Sequence, residues 1–422
     1  MTTSHSSELP LQPALRLWPG IVAVVLLWLI RLVVPPVAPT LGLEAVIASI
    51  GVGFVILIWW LFFSRAPWSE RIGFVVLMVV AIVATYRVVD ISIATGMMGG
   101  LLIMYGLSAL PTGLVAGAVV GARLSSTGRR AAIAIGILLA CGMFTLLRTD
   151  GIAGIGAQFA WRWTPTAEER LLARANDDPK PLTAIERVNE PPPANGPAAT
   201  PPPLATVPPP SEPALRKDDE SSTVVARKSA EWPGFRGSDR DGIVHGVTIE
   251  TDWARMPPTQ IWRRAVGPGW SSFAVDGDVF FTQEQRGEDE IVAAYRVKSG
   301  EPVWRHRDRV RFWESNGGAG PRATPTIDGG RVYAFGATGM LNALDEATGT
   351  VVWSRNVATD SHTAVPMWGF SSSPLVMDEE VIVAAGGKLA AYDTTAGKPR
   401  WFGPEGGEGY SSPQRVTLGG VQ

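Results

Sequence analysis

The spacing of apolar and polar residues divides the chain into two unlike halves. Residues from about 15 to 150 are overwhelmingly apolar, whereas residues from about 215 to 422 have the pattern of a soluble β protein. The apolar half contains five runs, at 17–34, 41–63, 72–89, 97–122 and 131–147. Each run approaches or exceeds the roughly 20 residues that a helix needs to cross a bilayer. We therefore predict an α-helical transmembrane bundle of five helices over residues 1–150.

Arginines in the short loops predict the orientation of this bundle, because cytoplasmic loops carry an excess of basic residues. Six arginines fall on the N-terminal side of the bundle, namely Arg16, Arg65, Arg71, Arg123, Arg129 and Arg130. Three fall on the opposite side, namely Arg31, Arg87 and Arg148. The bias predicts a cytoplasmic N terminus, and five crossings place everything after Arg148 outside the cytoplasm, as in a bacterial inner-membrane protein. A count of four or six spans would reverse this orientation.

Two segments connect the apolar half to the β half. Residues 151–190 contain Thr166 followed by Glu169, a capping-box spacing that predicts a short amphipathic helix at the membrane surface. Residues 191–213 contain 11 prolines, so the segment 191–230 is predicted to be a semi-stiff, extended linker.

A motif of strand, tight turn, strand and terminal tryptophan recurs in the β half. It is clearest at Ala343–Trp353 (ALDEATGTVVW) and returns at Ala294–Trp304 and Ala391–Trp401. The terminal tryptophans are 49 and 48 residues apart, and Trp262 lies 42 residues before the first of them. A fixed period of this size with β-type patterning predicts a repeat architecture rather than a single globular core.

Each repeat reads as a propeller blade. A small-residue segment such as Ser371–Pro374 opens the unit, and hairpins that turn at Gly or Asp residues give four short strands. Glycine in the tight turn of the motif tolerates positive φ. A tryptophan on the outer strand can pack between neighbouring blades and bury a large area. We therefore assign a structural, blade-docking role to Trp262, Trp304, Trp353 and Trp401.

The motif has a family resemblance. The pattern Ala-x-Asp-x-x-Thr-Gly-x-x-x-Trp at Ala343–Trp353 resembles the tryptophan-docking repeat of pyrroloquinoline quinone (PQQ) β-propellers, the quinoprotein alcohol dehydrogenase-like superfamily. Residues 232–242 (WPGFRGSDRDG) resemble the opening of that superfamily's domains. The resemblance implies an all-β propeller of PQQ-type blades over 231–422. Three full units and the start of a fourth are present, so we expect an incomplete propeller from a longer protein.

The resemblance leaves two functions open. Quinoprotein dehydrogenases of the superfamily hold PQQ and calcium, and its membrane-bound glucose dehydrogenases similarly carry N-terminal spans. Another member is the non-catalytic scaffold lipoprotein of the outer-membrane barrel-assembly machinery. We expect a membrane-anchored, extracytoplasmic propeller that acts as a binding or assembly module. The alternative is a PQQ-dependent dehydrogenase that oxidises an alcohol or sugar and donates electrons to membrane quinone.

The superfamily binds its cofactor at the propeller mouth, which the loops leading into the innermost strands line. In this chain Glu314 and Asn316 offer oxygen atoms to a hard cation such as calcium. An arginine there can pair with a quinone carboxylate, and tryptophans can stack on its rings. The resemblance thus assigns cofactor contact to Trp313, Arg322, Trp368 and Ser372. The competing interpretation is that these residues pack and cap their loops.

Composition and residue spacing argue against several other kinds of partner and site. A formal net charge of −2 without a basic stripe gives no reason to expect a nucleic-acid partner. Cys141 is the only cysteine, which excludes an intrachain disulfide and a cysteine metal site. The four histidines are isolated and match no metal-ligand spacing, and Gly317–Gly320 lacks the lysine of a phosphate loop. The expected partners are the lipid bilayer and either an extracytoplasmic protein or membrane quinone.

Overall fold

The computed structural model describes residues 15–153, 156–174, 178–179, 230–406 and 409–417. Its first part is a helical region whose long helices pack side by side. The helices are α1 (Trp18–Val37), α2 (Gly42–Phe63), α3 (Trp68–Tyr86), α4 (Ile91–Thr95), α5 (Leu101–Val120) and α6 (Ser126–Thr145). All except α4 are long and apolar enough to cross a membrane, and they correspond to the five predicted runs.

Small residues bring the last two long helices close together. An added Cβ at Gly113 of α5 would collide with the Gly136 carbonyl of α6, and an added Cβ at Gly136 would collide with the Gly113 carbonyl. Close approach through small residues is typical of helices that pack together in membranes. At one end of the bundle the buried Glu70 carboxylate of α3 accepts from Arg129 at 3.1 Å and from Arg130 at 2.9 Å, which ties α3 to α6.

A hairpin and a short helix follow the bundle. The hairpin consists of β1 (Leu147–Ala153) and β2 (Gly156–Trp161), and it was not predicted from the sequence. Helix α7 (Ala167–Leu172) begins with the predicted capping box, because Thr166 and Glu169 each bond to the other's backbone N–H. The predicted proline-rich linker lies outside the described residues, apart from residue 230.

The β region consists of three four-stranded antiparallel sheets, each in chain order. The first blade is β3 (Ala274–Asp276), β4 (Val279–Arg286), β5 (Asp289–Arg296) and β6 (Pro302–Asp308). After the small hairpin β7 (Trp313–Glu314) and β8 (Gly318–Ala319), the second blade is β9 (Thr326–Asp328), β10 (Arg331–Phe335), β11 (Met340–Asp345) and β12 (Val351–Asn356). Helix α8 (Val357–Ser361) precedes the third blade, which is β13 (Leu375–Met377), β14 (Glu380–Ala385), β15 (Lys388–Asp393) and β16 (Pro399–Phe402).

The hydrophobic core lies between successive blades. In β11, Leu344 packs in a cluster with first-blade residues, whereas Leu341 and Ala343 pack with the third blade. This alternation follows from the two-residue period of a strand, which sends successive side chains to opposite faces. The described residues form three blades that do not close into a ring.

The motif tryptophans join one blade to the next. Trp304 Nε1 donates to the Glu346 carbonyl of the second blade at 2.9 Å, and Trp353 Nε1 donates to the Thr394 carbonyl of the third at 2.8 Å. Each ring lies directly over the glycine of the neighbouring motif turn, so that a Cβ at Gly349 would collide with Trp304. Gly349 has φ +71°, as predicted for this turn.

The first and last motif tryptophans, Trp262 and Trp401, differ in what they contact. Trp262 repeats the docking pattern at the start of the series, since its Nε1 donates to the Val297 carbonyl at 2.8 Å and its ring covers Gly300. Trp401 instead donates to Glu380 of its own blade at 2.9 Å. Among the described residues no fourth sheet lies beside Trp401, whose surface is 38% exposed.

The innermost segments are linked by a second repeated contact. The backbone N–H of Ser272 donates to Thr324 Oγ1 at 3.1 Å, that of Thr324 to Ser373 Oγ at 3.0 Å, and that of Ser373 to Ser412 Oγ at 2.9 Å. The small hydroxyl residues that open each repeat therefore form a hydrogen-bonded chain from blade to blade. This chain explains why the repeats begin with Ser or Thr.

Candidate functional site

Two loops connect the last strand of one blade to the first strand of the next, β6 to β9 and β12 to β13, and both lie at the same end of the blades. We call residues 309–325 the first mouth loop and residues 362–374 the second. The first mouth loop is folded around its own hairpin, in which Trp313 pairs with Ala319 and Glu314 with Gly318. The loop therefore holds a defined conformation rather than an extended one.

Arg322 lies at the centre of the first mouth loop. Its guanidinium donates to the carbonyls of Gly318 at 2.7 Å and Gly320 at 3.0 Å, and it reaches the Trp368 carbonyl of the second mouth loop at 3.4 Å. It also lies 5.2 Å from the centre of the Phe312 ring. Because the side chain is only 8% exposed, burial lowers the pKa of Arg322. The guanidinium thus organises both mouth loops from within.

Glu314 provides the counter-charge to Arg322. One carboxylate oxygen accepts from Arg322 at 3.2 Å and from the backbone N–H of Gly317 at 2.5 Å. The other accepts from the backbone N–H of Asn316 at 2.7 Å. Three donors therefore converge on this carboxylate, which caps the turn of the small hairpin.

Asn316 and Ser315 face away from that pair, towards the helical region. Asn316 Oδ1 accepts from the backbone N–H of Met97 at 3.0 Å. Ser315 Oγ donates to the Thr95 carbonyl at 2.8 Å. The amide oxygen of Asn316 and the carboxylate of Glu314 thus serve different partners.

Several large apolar side chains on the mouth loops and beside them are exposed. Trp270 is 66% exposed, and its Nε1 donates to the Gly317 carbonyl at 2.7 Å. Trp313 is 38% exposed and Trp368 is 40% exposed. The Trp368 ring lies 5.2 Å from that of Tyr410, and the adjacent Met367 is 73% exposed. We call the four aromatic residues Trp270, Trp313, Trp368 and Tyr410, together with the adjacent Met367, the aromatic row.

Ser372 is a buried residue of the second mouth loop. Its hydroxyl accepts from the backbone N–H of Ala384 at 2.8 Å, and the residue is 1% exposed. Of the residues that the sequence assigned to cofactor contact, Trp313 and Arg322 share the first mouth loop, Arg322 reaches the Trp368 carbonyl, and Ser372 is buried.

This donor set does not fit a quinone–calcium site within the mouth loops. Calcium needs several oxygen atoms that converge on one point, but the oxygens of Glu314 and Asn316 accept from separate backbone and guanidinium donors. The described N–H groups of Arg322 point at loop carbonyls and Glu314 rather than at an open space for an anion. The mouth loops therefore support no PQQ-dependent step.

Sequence inspection missed a buried polar cluster between the first two blades. Glu290 is 3% exposed, and its carboxylate accepts from the backbone N–H of Ala337 at 3.2 Å. Its strand neighbour Asp308 accepts from Asn342 Nδ2 at 2.6 Å. The pKa of Glu290 is raised to about 7, chiefly because the carboxyl group is buried and in part because Asp308 is near, and the Ala337 N–H and Arg322 oppose the shift. Two acidic residues facing the same blade at opposed strand positions would have been the signal.

A second group was also missed. Asp239, Asp241 and His245 place their ligand atoms within 4.8 Å of one another, although the histidines looked isolated in sequence. The two terminal members are exposed, and Asp241 accepts from the backbone N–H of Ile243 at 2.8 Å. Such exposed acidic turns are common without a bound ion, and this one serves to fold its own loop.

Four-stranded antiparallel sheets that stack through repeated tryptophan contacts are consistent with propeller blades. Comparisons with known proteins agree for the repeat segment. Residues 255–414, less than half of the chain, match the family model described as outer membrane protein assembly factor BamB. These comparisons support a PQQ-like repeat region.

Two curated relatives represent different functions. Outer membrane protein assembly factor BamB of Yersinia pestis is 26% identical over 156 residues, which cover 35% of this chain and 37% of the relative. Quinohemoprotein alcohol dehydrogenase ADH-IIG of Pseudomonas putida is 28% identical over 137 residues, which cover 30% of this chain and 18% of the relative. The chain therefore spans well under half of either relative's length.

A solved structure, BamB from Moraxella catarrhalis, is 21% identical, with a TM-score of 0.22, 32% coverage of this chain and 34% of that one.

Proposed function

We propose that this protein is a membrane-anchored propeller that acts outside the cytoplasm as a binding or assembly module. The observation that carries the proposal is the aromatic row. Tryptophan and tyrosine side chains are exposed there while the polar groups around them are already hydrogen-bonded to one another. Exposed aromatic residues over satisfied polar groups are typical of the energetic centre of a protein interface.

The proposed anchor is the helical region at 1–150. Five apolar helices support it, and the arginine bias supports an extracytoplasmic β region at the bacterial inner membrane. Trp161 and Trp163, whose rings stack at 5.1 Å just after the bundle, suit the interface between bilayer and water. In this proposal 151–190 is a juxtamembrane segment, 191–230 is the linker, and 231–422 is the propeller part.

The relatives supply the kind of partner. One is named as an assembly factor, and the family model carries the same description. We therefore propose a protein partner outside the cytoplasm, which contacts the aromatic row. The dehydrogenase named among the relatives makes quinone chemistry the competing proposal. The internal pairing of Arg322 and Glu314 favours the binding module instead.

Site-specific photo-crosslinking in cells tests this proposal. A photoreactive amino acid replaces Trp368 or Met367 in the aromatic row, and Val351 on the opposite end of the second blade serves as the control, because it is 43% exposed. We expect discrete protein adducts from the aromatic row and none from Val351. Equal adduct patterns at all three positions would contradict a partner-specific surface.

A further inference from the structure

Contacts from three separate segments join the helical part of the chain to the first blade and its mouth loop. The most extensive involves Glu168, on the first turn of α7. Its two carboxylate oxygens accept from Arg311 at 2.8 and 2.9 Å, and one of them also accepts from the backbone N–H of Gly287 at 2.8 Å. A bidentate pair with an added backbone donor fixes both distance and orientation.

Two further sets of hydrogen bonds also join the helical part to the first blade and its mouth loop. Thr95, the last residue of α4, and Met97, just after that helix, bond through their backbones to Ser315 and Asn316 at 2.8 and 3.0 Å. Asp178 accepts from Arg305 at 3.2 Å and from Arg307 at 3.1 Å.

The structure of α7 holds Glu168 in place for this contact. The capping box of Thr166 and Glu169 fixes the first turn, and Leu171 is 2% exposed. The next residue, Leu172, lies close to Gly287, where an added Cβ would be 3.6 Å from it. Gly287 has φ +60°, so this tight turn exposes its N–H to the carboxylate. Hydrogen bonding to Glu168 also raises the pKa of Arg311 above its usual value.

We propose that two sets of contacts form a latch that fixes the first blade against the outer end of the helical region. One is the ion pair of Glu168 with Arg311, and the other is the pair of hydrogen bonds that Thr95 and Met97 make with Ser315 and Asn316. The latch acts in addition to the covalent connection through residues 180–229. Its contacts are weak singly, but they are intramolecular and spaced apart, so they act at high effective concentration. The occupant of this blade surface is therefore the chain's own helical region.

The latch also constrains the aromatic row. Asn316, which holds Met97, donates through its backbone to Glu314, and Glu314 pairs with Arg322. Since these residues belong to the first mouth loop, the latch places the aromatic row beside the helical region. A partner that contacts the row would then bind close to the membrane surface.

Cleavage of the connection tests the latch directly. A protease site is inserted within residues 180–229 of the full chain, and washed membrane vesicles are treated with the protease. We expect at least tenfold more β region to stay with wild-type vesicles than with Arg311→Glu vesicles. Pairing Arg311→Glu with Glu168→Arg should restore retention, because the ion pair is re-formed with its charges exchanged.

The matched control is Arg309→Glu. Arg309 is exposed in the same loop and has no hydrogen bond or ion pair among the described residues. This variant should retain the β region as the wild type does. Release of the cleaved wild type to the same extent as Arg311→Glu, or equal release by Arg309→Glu, would overturn the latch.

Cysteine cross-linking gives an independent readout that does not depend on charge. In a Cys141→Ala background, Thr95→Cys is combined with Ser315→Cys, and the control combines Thr127→Cys at the other end of the bundle with Ser315→Cys. A short bismaleimide should join the first pair with at least tenfold higher yield than the control. Equal yields would overturn the proposed arrangement, and they would leave the photo-crosslinking test of the aromatic row unaffected.

Discussion

The two ends of each blade differ in how strictly they repeat. At the docking end, Trp304 and Trp353 make the same contact, each donating to a carbonyl of the next blade above a glycine turn. At the mouth end, the first loop contains a hairpin around Arg322, whereas the second follows helix α8 and presents Trp368. Repeated contacts are what stacking requires of every blade. The parts that differ are therefore where a specific function can reside.

The largest expected effect tests the docking end. Trp353→Ala removes a ring that is 7% exposed and its hydrogen bond to the third blade, so we expect a loss of about 3–5 kcal/mol in the free energy of unfolding. Trp401→Ala is the matched control, because Trp401 is 38% exposed and bonds within its own blade. It should cost about 1 kcal/mol or less. Denaturant unfolding of the full chain in detergent, followed by circular dichroism, measures both; equal losses would contradict the docking role.

The buried cluster between the blades predicts a pH dependence. Glu290 has a pKa of about 7 in the folded state and an ordinary value of 4.5. Between these values the folded protein holds a proton that the unfolded chain has released, so stability falls as the pH rises. The difference between the two pKa values corresponds to a loss of about 3 kcal/mol in the free energy of unfolding at high pH. Glu290→Gln should remove this loss. The stability gain from Glu290→Gln should therefore be larger at pH 8 than at pH 5; a gain that does not change with pH would contradict this assignment.

At the mouth end, Arg322→Met should destabilise the protein. The change leaves Glu314, whose side chain is 15% exposed, without its counter-charge and removes the donors to Gly318 and Gly320. We expect a loss of about 2–3 kcal/mol. Arg309→Met, in the same loop but without a partner among the described residues, should change stability by less than about 0.5 kcal/mol. If Arg322→Met changes stability as little as Arg309→Met does, the loop does not depend on Arg322, and this account of its role is contradicted in favour of ligand binding.

The smallest stability effect is expected at the aromatic row. Trp368→Ala removes a ring that is 40% exposed, so we expect a change of about 1 kcal/mol or less. Photo-adducts formed at the adjacent Met367 should nevertheless decrease strongly, because a hot-spot ring carries binding energy without carrying stability. Unchanged adducts would mean that the row is not the partner's contact surface.

Sequence predicted the repeated features better than the unique ones. The 48- and 49-residue spacing and the glycine of each motif turn (Gly300, Gly349 and Gly397) pointed to blades, because those contacts recur with the same residue types. The apolar runs pointed to five helices for a similar reason, since length and hydropathy suffice to define them. The hairpin β1–β2 was not predicted, although Gly151, Gly154 and Gly156 are turn-type residues within its sequence.

The mouth loops could be located but not interpreted. Arg322, Glu314 and Asn316 have the residue types of an anion and cation site, and only the structure shows that Arg322 and Glu314 bond to each other and Asn316 to Met97. The partners of Asn316 and Glu168 lie more than a hundred residues away, so no local pattern reveals them. Asp308 and Asn342 are 34 residues apart and meet across two blades, so no local pattern reveals their contact either.

The most direct test of the central claim is a titration of the full chain with PQQ in the presence of calcium. Equilibrium dialysis and the absorbance of the quinone report binding to the wild type and to the Glu314→Gln and Arg322→Met variants. If the mouth end is a protein-binding surface with internally paired charges, none of the three should bind the quinone saturably at one equivalent. Stoichiometric, calcium-dependent binding to the wild type that Glu314→Gln abolishes without unfolding the protein would contradict the account.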